Sequence, residues 1–402
     1  MNKASTNIHF YKNENGPVIR VTVKPVIEKD GLYFRDLTGD GRLAPYKDWR
    51  NTPAKRAASL AAELSADEKI GMLFVNSWKM RIYQEDRTKV DESGLLNEEI
   101  VEQDESIFNV ENTYGTTCTV KEMGIRHFIL RQNPKPGELA DWINQLNMVA
   151  EGTGHALPVM VLSNSRNEHG EIVFGMNDAA GVFATWPGTM GIAAAVRGNG
   201  PELIDSFARC IRMEWDAVGM KKGYMYMADV MTDPRWQRSY GTFGEDPEIV
   251  CAIMERLIPG IQGSSRGVTR EGGGVRRHQA FPGRQSQGKR IRPPLCPGTV
   301  ECVPDRGQPA HIPPAFRTAI DKKASSIMPY YAKPSAAKSK SQYGPDGDAM
   351  EMEPVGLAFN RVFIQGLLRE KMGFEGYVNS DSGISNKMAA YKGGDKDLKG
   401  KV

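Results

Sequence analysis

The chain has 402 residues, 40% of them hydrophobic and 25% charged, with a net charge of +3; this is apolar material for one large core or two ordinary ones. The charge is uneven: from Arg276 to Ala310 seven Lys/Arg stand against two Asp/Glu, a local +5, so the other 367 residues carry −2 and nothing outside this segment points to a polyanionic partner. No apolar run of about 18 residues could span a bilayer, and five cysteines (Cys118, Cys210, Cys251, Cys296, Cys302) without a CxxC pair indicate neither a zinc site nor a disulfide framework.

The first residues, MNKASTNIHFYKNENGPVIR, lack the apolar core of a signal peptide, which makes a cytoplasmic protein the expectation. Residues 1 to about 55 are expected to form an N-terminal extension. Within it DLTGDGRLAPYKDW (36–49) follows the spacing of a calcium loop, with Asp36, Thr38 and Asp40 at alternating positions and Gly41 at the sharp turn. The final bidentate acid should fall on residue 47, which is Lys47, with Asp48 beside it. A plain polar turn leading into a helix near Pro53 fits the same residues.

Further along, apolar periodicity alternates between two types. A helix is expected over 137–151, with Leu139, Trp142, Ile143 and Leu146 on one face, then a buried strand over 158–163. A second helix over 201–220 aligns Leu203, Ile204, Phe207, Ile211 and Trp215, and a strand follows over 223–230. Helical patterns return at 248–261 and 360–374, and strands at 325–331 and 376–381. Strands alternating with helices argue for a parallel α/β architecture, and the length makes a (β/α)8 TIM-barrel-like domain over 56–390 the leading expectation, with 391–402 as a Gly/Lys-rich tail. Chemistry then belongs at the strand ends, which carry Asn164 to His169, Asp229, Tyr330 with Tyr331, and Asp381; a doubly wound sheet would place ligands there too.

The most informative stretch is ADVMTDPRWQRSYGTFGEDPEIV (228–250). Asp246 reads as a helix N-cap, Pro247 as the first helical residue and Glu248 as a first-turn acid. Arg235, Trp236 and Arg238 lie in a loop after a strand, where guanidinium and indole could meet a polyhydroxylated ligand or make structural ion pairs. Asp381 could equally cap the turn of SDSG.

This stretch resembles the DPRWGR...GEDP signature of glycoside hydrolase family 3, the β-glucosidase and β-xylosidase family. TWPGTMGIAA (185–194) is similar to the family's FP...GLAA segment and GFEGYVNSDSG (373–383) to its GFxGxVxSDW, so three separated motifs agree in order between about 60 and 390. The resemblance implies that Asp381 is the nucleophile of a retaining mechanism, in which a carboxylate attacks the anomeric carbon opposite an acid/base about 5 Å away. It implies that Arg238 hydrogen-bonds the sugar. It places the ligand of the distal hydroxyls within SNSRNEHG (163–170), where Asn164 fits by distance from the strand start and Arg166 by distance from His169. Asp229 and Tyr330 complete the expected substrate ligands. Ser382 stands where the family has an aromatic residue. Two-domain members supply the acid/base largely from a second domain, and this sequence runs about twenty residues past Asp381.

The family's KHFPG motif, whose Lys and His bind sugar, should lie between the helix near Gly263 and the strand at 325. What stands there is HQAFPG (278–283), inside the basic segment. Shifting the reading frame by one base permits Thr-Lys-His-Phe-Pro from this stretch and Gln-Trp-Asn-Val-Tyr from Thr299 to Val303, and ordinary barrel sequence resumes at HIPP (311–314). Residues about 272–310 therefore read as a segment translated out of frame, with a natural basic insertion as the alternative. A nucleic-acid arm has little support, because Phe281 is the one aromatic of the stretch 276–292.

The expected function is a retaining β-glycosidase, a β-glucosidase, acting on a terminal β-glycoside or oligosaccharide with no metal or organic cofactor, no nucleic acid and no membrane. A β-xylosidase or β-N-acetylhexosaminidase of the same family is one alternative. An inactive or sugar-binding remnant is another, because Gln279 and Ala280 replace the Lys-His pair. Oligomeric state is not encoded in any feature of the sequence.

Overall fold

The computed structural model describes residues 8–78, 94–98, 114–130, 134–164, 167–168, 182–231, 234, 239–264, 276–277, 280–281, 300–301, 314–329, 333–334, 342–343, 349–350, 353 and 355–380. The chain groups into two compact units, Met1–Ser163 with Ala217–Met220, and Asn164–Asp216 with Lys221–Val402.

The first unit opens with two antiparallel pairs, β1 (His9–Tyr11) with β2 (Ile19–Val21) and β3 (Val26–Lys29) with β4 (Leu32–Arg35). The second pair turns on Asp30 and Gly31, at φ 55° and 69°. An Asp-Gly dipeptide accepts two left-handed residues in succession, and the resulting turn matches the strand twist. Phe34 is fully buried and stacks on Trp49 at 5.5 Å, while the Trp49 indole donates to the Tyr33 carbonyl at 2.9 Å.

Helix α1 (Pro53–Glu63) starts at Thr52, whose hydroxyl accepts from the Lys55 amide, and α2 (Ala66–Leu73) starts with a reciprocal Ser65/Glu68 capping box. Then come β5 (Val75–Trp78), α3 (Thr116–Lys121), β6 (His127–Leu130), α4 (Pro136–Glu151) and β7 (Met160–Asn164). β5, β6 and β7 pair in parallel, with Val75 opposite His127 and His127 opposite Met160. α4 buries Leu139, Trp142, Ile143 and Leu146, the face expected from periodicity. Its last residue, Glu151, accepts the Thr22, Val23 and Lys24 amides at 2.8, 3.0 and 3.0 Å together with the Thr22 hydroxyl.

The second unit holds α5 (Thr189–Asn199), most of α6 (Leu203–Val218), β8 (Lys222–Tyr224), α7 (Pro247–Gln262), β9 (Arg276–Arg277), β10 (Ala280–Phe281), β11 (Val300–Glu301), α8 (Pro314–Asp321), β12 (Ser326–Pro329), β13 (Lys333–Pro334), β14 (Gln342–Tyr343), β15 (Ala349–Met350), α9 (Val362–Lys371) and β16 (Tyr377–Val378). β8 pairs β9, β12 lies between β10 and β16, and β11 pairs β13, all in parallel, whereas β14 and β15 run antiparallel. The basic segment thus enters the strand arrangement on both sides: Arg276 and Arg277 align with Lys222 and Gly223, and Ala280 and Phe281 with Met328 and Pro329.

α6 buries Ile204, Phe207, Ile211 and Trp215 completely. α7 passes close to it: a Cβ on Gly260 would lie 2.6 Å from that of Ala208, so glycine is what permits the approach. Asp246 caps α7 by accepting the Glu248 amide at 2.9 Å, and Gly263 ends it at φ 72°, in the left-handed region glycine favours. α9 differs from the ordinary helix expected over 360–374, because its hydrogen bonds are of the wider π type. Its buried residues are Phe363, Leu367 and Leu368, with Met372 buried just past its end; Phe363 to Leu368 is five positions, the reach of one π-type i→i+5 turn. No described helix is long and apolar enough to cross a membrane.

Candidate active site

In parallel α/β folds the reactive side chains gather where strands end. In the second unit β8 stops at Tyr224, earlier than the expected 223–230 strand, because the backbone beyond it turns elsewhere: the Met231 amide donates to the Gly244 carbonyl at 2.9 Å. This bond joins the stretch holding Asp229 to the turn before Asp246. Asp229 is enclosed, with 2% exposure, beside buried Tyr226 and Ala228.

Tyr226 has an aromatic row around it, its ring 5.7 Å from Phe207 and 5.8 Å from Phe243. Its hydroxyl donates to the Glu168 carboxylate at 2.6 Å. Glu168 is held by its neighbour. Asn167 donates to the Ala184 carbonyl at 3.2 Å and to the Glu214 carboxylate, accepts the Trp215 indole N–H at 3.0 Å, and its main-chain carbonyl accepts the Trp186 amide at 2.8 Å. Glu214 also accepts the Ala184 amide at 2.9 Å. One asparagine therefore fastens residues 167–168 to α6 and to the TWPG segment, and leaves Glu168 as a carboxylate oriented by a phenol. Sequence reasoning searched this stretch for a sugar ligand and passed over Glu168, although it is the one acid among the eight residues of SNSRNEHG.

Asn164 ends β7 and is 8% exposed, a buried polar residue at a strand end; Asp229 is also buried, but it lies five residues past the end of β8, in the turn-rich stretch after the strand and not at the strand end expected from the sequence. Arg166, His169, Arg235, Trp236, Arg238, Gln279, Tyr330, Tyr331, Asp381 and Ser382 lie outside the described residues.

The strand leading to Asp381 is described as far as Ser380. Just past β16, Asn379 donates to the Tyr224 hydroxyl at 2.7 Å and accepts from Lys222 Nζ at 3.0 Å. The Lys222 ammonium lies 4.2 Å from the centre of the Tyr377 ring, and the residue is 1% exposed. A buried cation stacked on an aromatic face is stabilised by the ring quadrupole. The pair fixes the approach to Asp381 against the start of β8.

No cluster of three or more His, Cys, Asp or Glu stands ready for a metal among the described residues. In loop 36–48 the cation position is taken by Lys47, whose ammonium lies 2.7 Å from Asp36 and 2.5 Å from Asp40. Cys118, Cys210 and Cys251 are free thiols, and burial pushes Cys210 and Cys251 above the ordinary thiol value.

Residues 119–399 match the Glycosyl hydrolase family 3 N terminal domain. The chain is 30% identical over 364 residues to a periplasmic beta-glucosidase/beta-xylosidase of Dickeya chrysanthemi, covering 90% of this chain and 50% of that protein. It is 29% identical over 340 residues to a probable beta-glucosidase C of Aspergillus oryzae, covering 84% and 47%. The chain spans about half the length of these curated relatives. Among solved structures it resembles a beta-N-acetylhexosaminidase from Beutenbergia cavernae at TM-score 0.55 and 21% identity, over 83% of this chain and 81% of that one. It also resembles a β-glucosidase from Erythrobacter marinus at TM-score 0.58 and 20% identity, over 87% and 40%. Parallel strands alternating with helices and these structural likenesses give the chain the α/β, TIM-barrel-like fold expected from its sequence. The chain belongs to glycoside hydrolase family 3, through the match of residues 119–399 to the N-terminal domain of that family.

Proposed function

We propose that this chain is the barrel part of a retaining β-glycosidase that releases terminal β-D-glucosyl residues through a glycosyl-enzyme on Asp381. The observation that carries the reading is the family match together with 30% identity to a beta-glucosidase/beta-xylosidase over 90% of the chain. Arg238, Asn164, Asp229 and Tyr330 are the proposed sugar ligands, and the described carboxylate Glu168 joins them. In the chemistry proposed, the Asp381 carboxylate displaces the aglycone to form an ester to the anomeric carbon, a general acid protonates the departing oxygen, and water then hydrolyses the ester. Buried polar groups at strand ends suit hydroxyl recognition, since each bond to a sugar hydroxyl is protected from water.

Turnover by the chain as written is expected to be weak, because Gln279 and Ala280 stand where the family carries two sugar ligands. The direct test is covalent trapping with a 2-deoxy-2-fluoro-β-glucosyl fluoride. Mass spectrometry should find the added sugar on the peptide holding Asp381, and none on an Asp381→Ala variant. Labelling elsewhere would refute the assignment.

A second reading has its own support: the N-acetylhexosaminidase structure is covered over 81% of its length, whereas the β-glucosidase structure is covered over 40%. A panel of aryl β-glucosides, β-xylosides and β-N-acetylglucosaminides decides between the sugars.

A further inference from the structure

The loop after β4 follows the frame of a twelve-residue calcium site closely. Asp36, Thr38 and Asp40 occupy its first, third and fifth positions, and Gly41, at φ 73°, its sixth. The main chain also takes the required turn, for the Asp36 carboxylate accepts the Gly39 and Gly41 amides at 3.0 and 2.7 Å. Three side-chain oxygens therefore point to one spot. At the twelfth position, where a calcium loop provides a bidentate carboxylate, this chain has Lys47.

Lys47 Nζ occupies that spot. It donates to Asp36 Oδ1 at 2.7 Å, Thr38 Oγ1 at 2.6 Å and Asp40 Oδ1 at 2.5 Å. An ammonium has three N–H donors, and these three oxygens use them all. The side chain is entirely enclosed, at 0% exposure. Calcium–oxygen distances of about 2.3–2.6 Å are nearly the same length, so the nitrogen stands close to where an ion's centre would be. The charge also matches: Burial alone would push the Lys47 ammonium down, but its hydrogen bonds to Asp36 and Asp40 outweigh this and hold it above the ordinary lysine range. Asp40 is held well below the carboxylate range, first by Lys47 and then by the Arg42 amide.

We propose that Lys47 is the resident cation of this loop: a tethered ammonium replaces calcium, fastening the loop permanently and barring metal from it. An entering ion would have to expel Lys47, and would then lack both the twelfth-position acid and a side-chain ligand at the ninth, where Ala44 stands. What the ammonium fastens is the junction between the β3–β4 hairpin and α1, including the Trp49 indole on Phe34. This junction is thereby independent of calcium supply. Since Lys and Glu codons differ by one base, residue 47 decides between a self-closed and a metal-closed loop.

The test combines terbium luminescence, excited through the neighbouring Tyr46 and Trp49, with thermal melting in EDTA and in millimolar calcium. The wild-type chain should give no sensitised terbium emission and one melting midpoint in both buffers. Lys47→Met should melt roughly 5–10 °C lower in both, having lost the cation without gaining a ligand. Lys47→Glu should melt low in EDTA, recover in calcium and sensitise terbium. Stoichiometric terbium or calcium binding by the wild type, an unchanged midpoint for Lys47→Met, or a Lys47→Glu chain that folds but ignores calcium would each overturn the proposal. Should Lys47→Glu fail to fold, the wild type and Lys47→Met decide it.

Discussion

Lys222, the first residue of β8, donates its buried ammonium to the side chain of Asn379 at 3.0 Å, two residues ahead of Asp381. Asn379 is itself bound to the Tyr224 hydroxyl. A charged donor inside the fold is thus spent on aligning the strand that leads to the proposed nucleophile. Replacing Lys222 by Met leaves the buried Asn379 carbonyl short of its donor and is expected to cost about 1–3 kcal/mol. The Lys222→Met, Asn379→Leu double variant should lose less than the sum of the singles, by roughly 0.5 kcal/mol or more. Urea midpoints measure this, and strict additivity would mean that the two side chains do not act together.

Glu151 offers a second test. Its carboxylate receives three backbone amides and a hydroxyl from residues 22–24. Glu151→Gln removes the charge and one acceptor oxygen, and charge-assisted bonds are worth about 1.5–3 kcal/mol each. Amide hydrogen exchange at Thr22, Val23 and Lys24 should accelerate roughly tenfold or more for a loss of about 1.4 kcal/mol, while α4 keeps its protection. Equal acceleration in both segments would place the effect in α4 itself.

The same carboxylates set the response to acid. Burial pushes Asp36, Glu68 and Glu151 up, but hydrogen bonds outweigh it and hold all three below the ordinary carboxylate range. The donors are Lys47 and Gly41 for Asp36, the Ser65 amide and His155 for Glu68, and Thr22 with Lys24 for Glu151. A value lower in the folded than the unfolded chain contributes stability above the unfolded values, about 3.9 for Asp and 4.3 for Glu, and loses it as pH falls through the folded ones. Melting midpoints should therefore fall as pH drops below about 4. Glu151→Gln should flatten part of that fall, and an unchanged slope would count against this carboxylate's share.

How much of this was legible beforehand varies by element. α4 runs over Pro136–Glu151 and buries the four residues that its 3.6-residue period selects, because one face alone packs. Asp246 and Pro247 marked the start of α7 for an equally local reason. β8 was overread, since Met225, Tyr226 and Ala228 are buried without belonging to a strand. α9 shows the converse: its apolar spacing is audible in the sequence, but was heard as an ordinary helix. At the site, Asn164 does end a strand, whereas Asp229 is buried five residues past the end of β8, and Glu168 gains its interest from Tyr226, fifty-eight positions away. Lys47 was seen as the wrong ligand for calcium, and only three-dimensional distances show it as the ion's substitute.

Restoring the family's ligands supplies the functional prediction. The backbone at Ala280 and Phe281 pairs in register with Met328 and Pro329, so the stretch already holds a strand position. Gln279→Lys with Ala280→His should raise kcat/KM on an aryl β-glucoside by about tenfold or more, equivalent to 1.4 kcal/mol of transition-state binding. Sequencing the gene through codons 265–310 addresses the origin of the segment: a one-base shift that yields stop codons would end the out-of-frame reading.

The Glu151 clasp also orders events during synthesis. Its acceptor follows the Thr22 donor by 129 positions, and chains emerge from the ribosome at about 5–20 residues per second. Residues 19–24 therefore wait roughly 6–26 s before their carboxylate exists. In that interval β2 has no anchor at its end, and a chaperone or protease would meet this stretch open. Early vulnerability of the β1–β2 and β3–β4 hairpins, cured once α4 is made, is the hidden cost of fastening a segment to one synthesised 129 positions later.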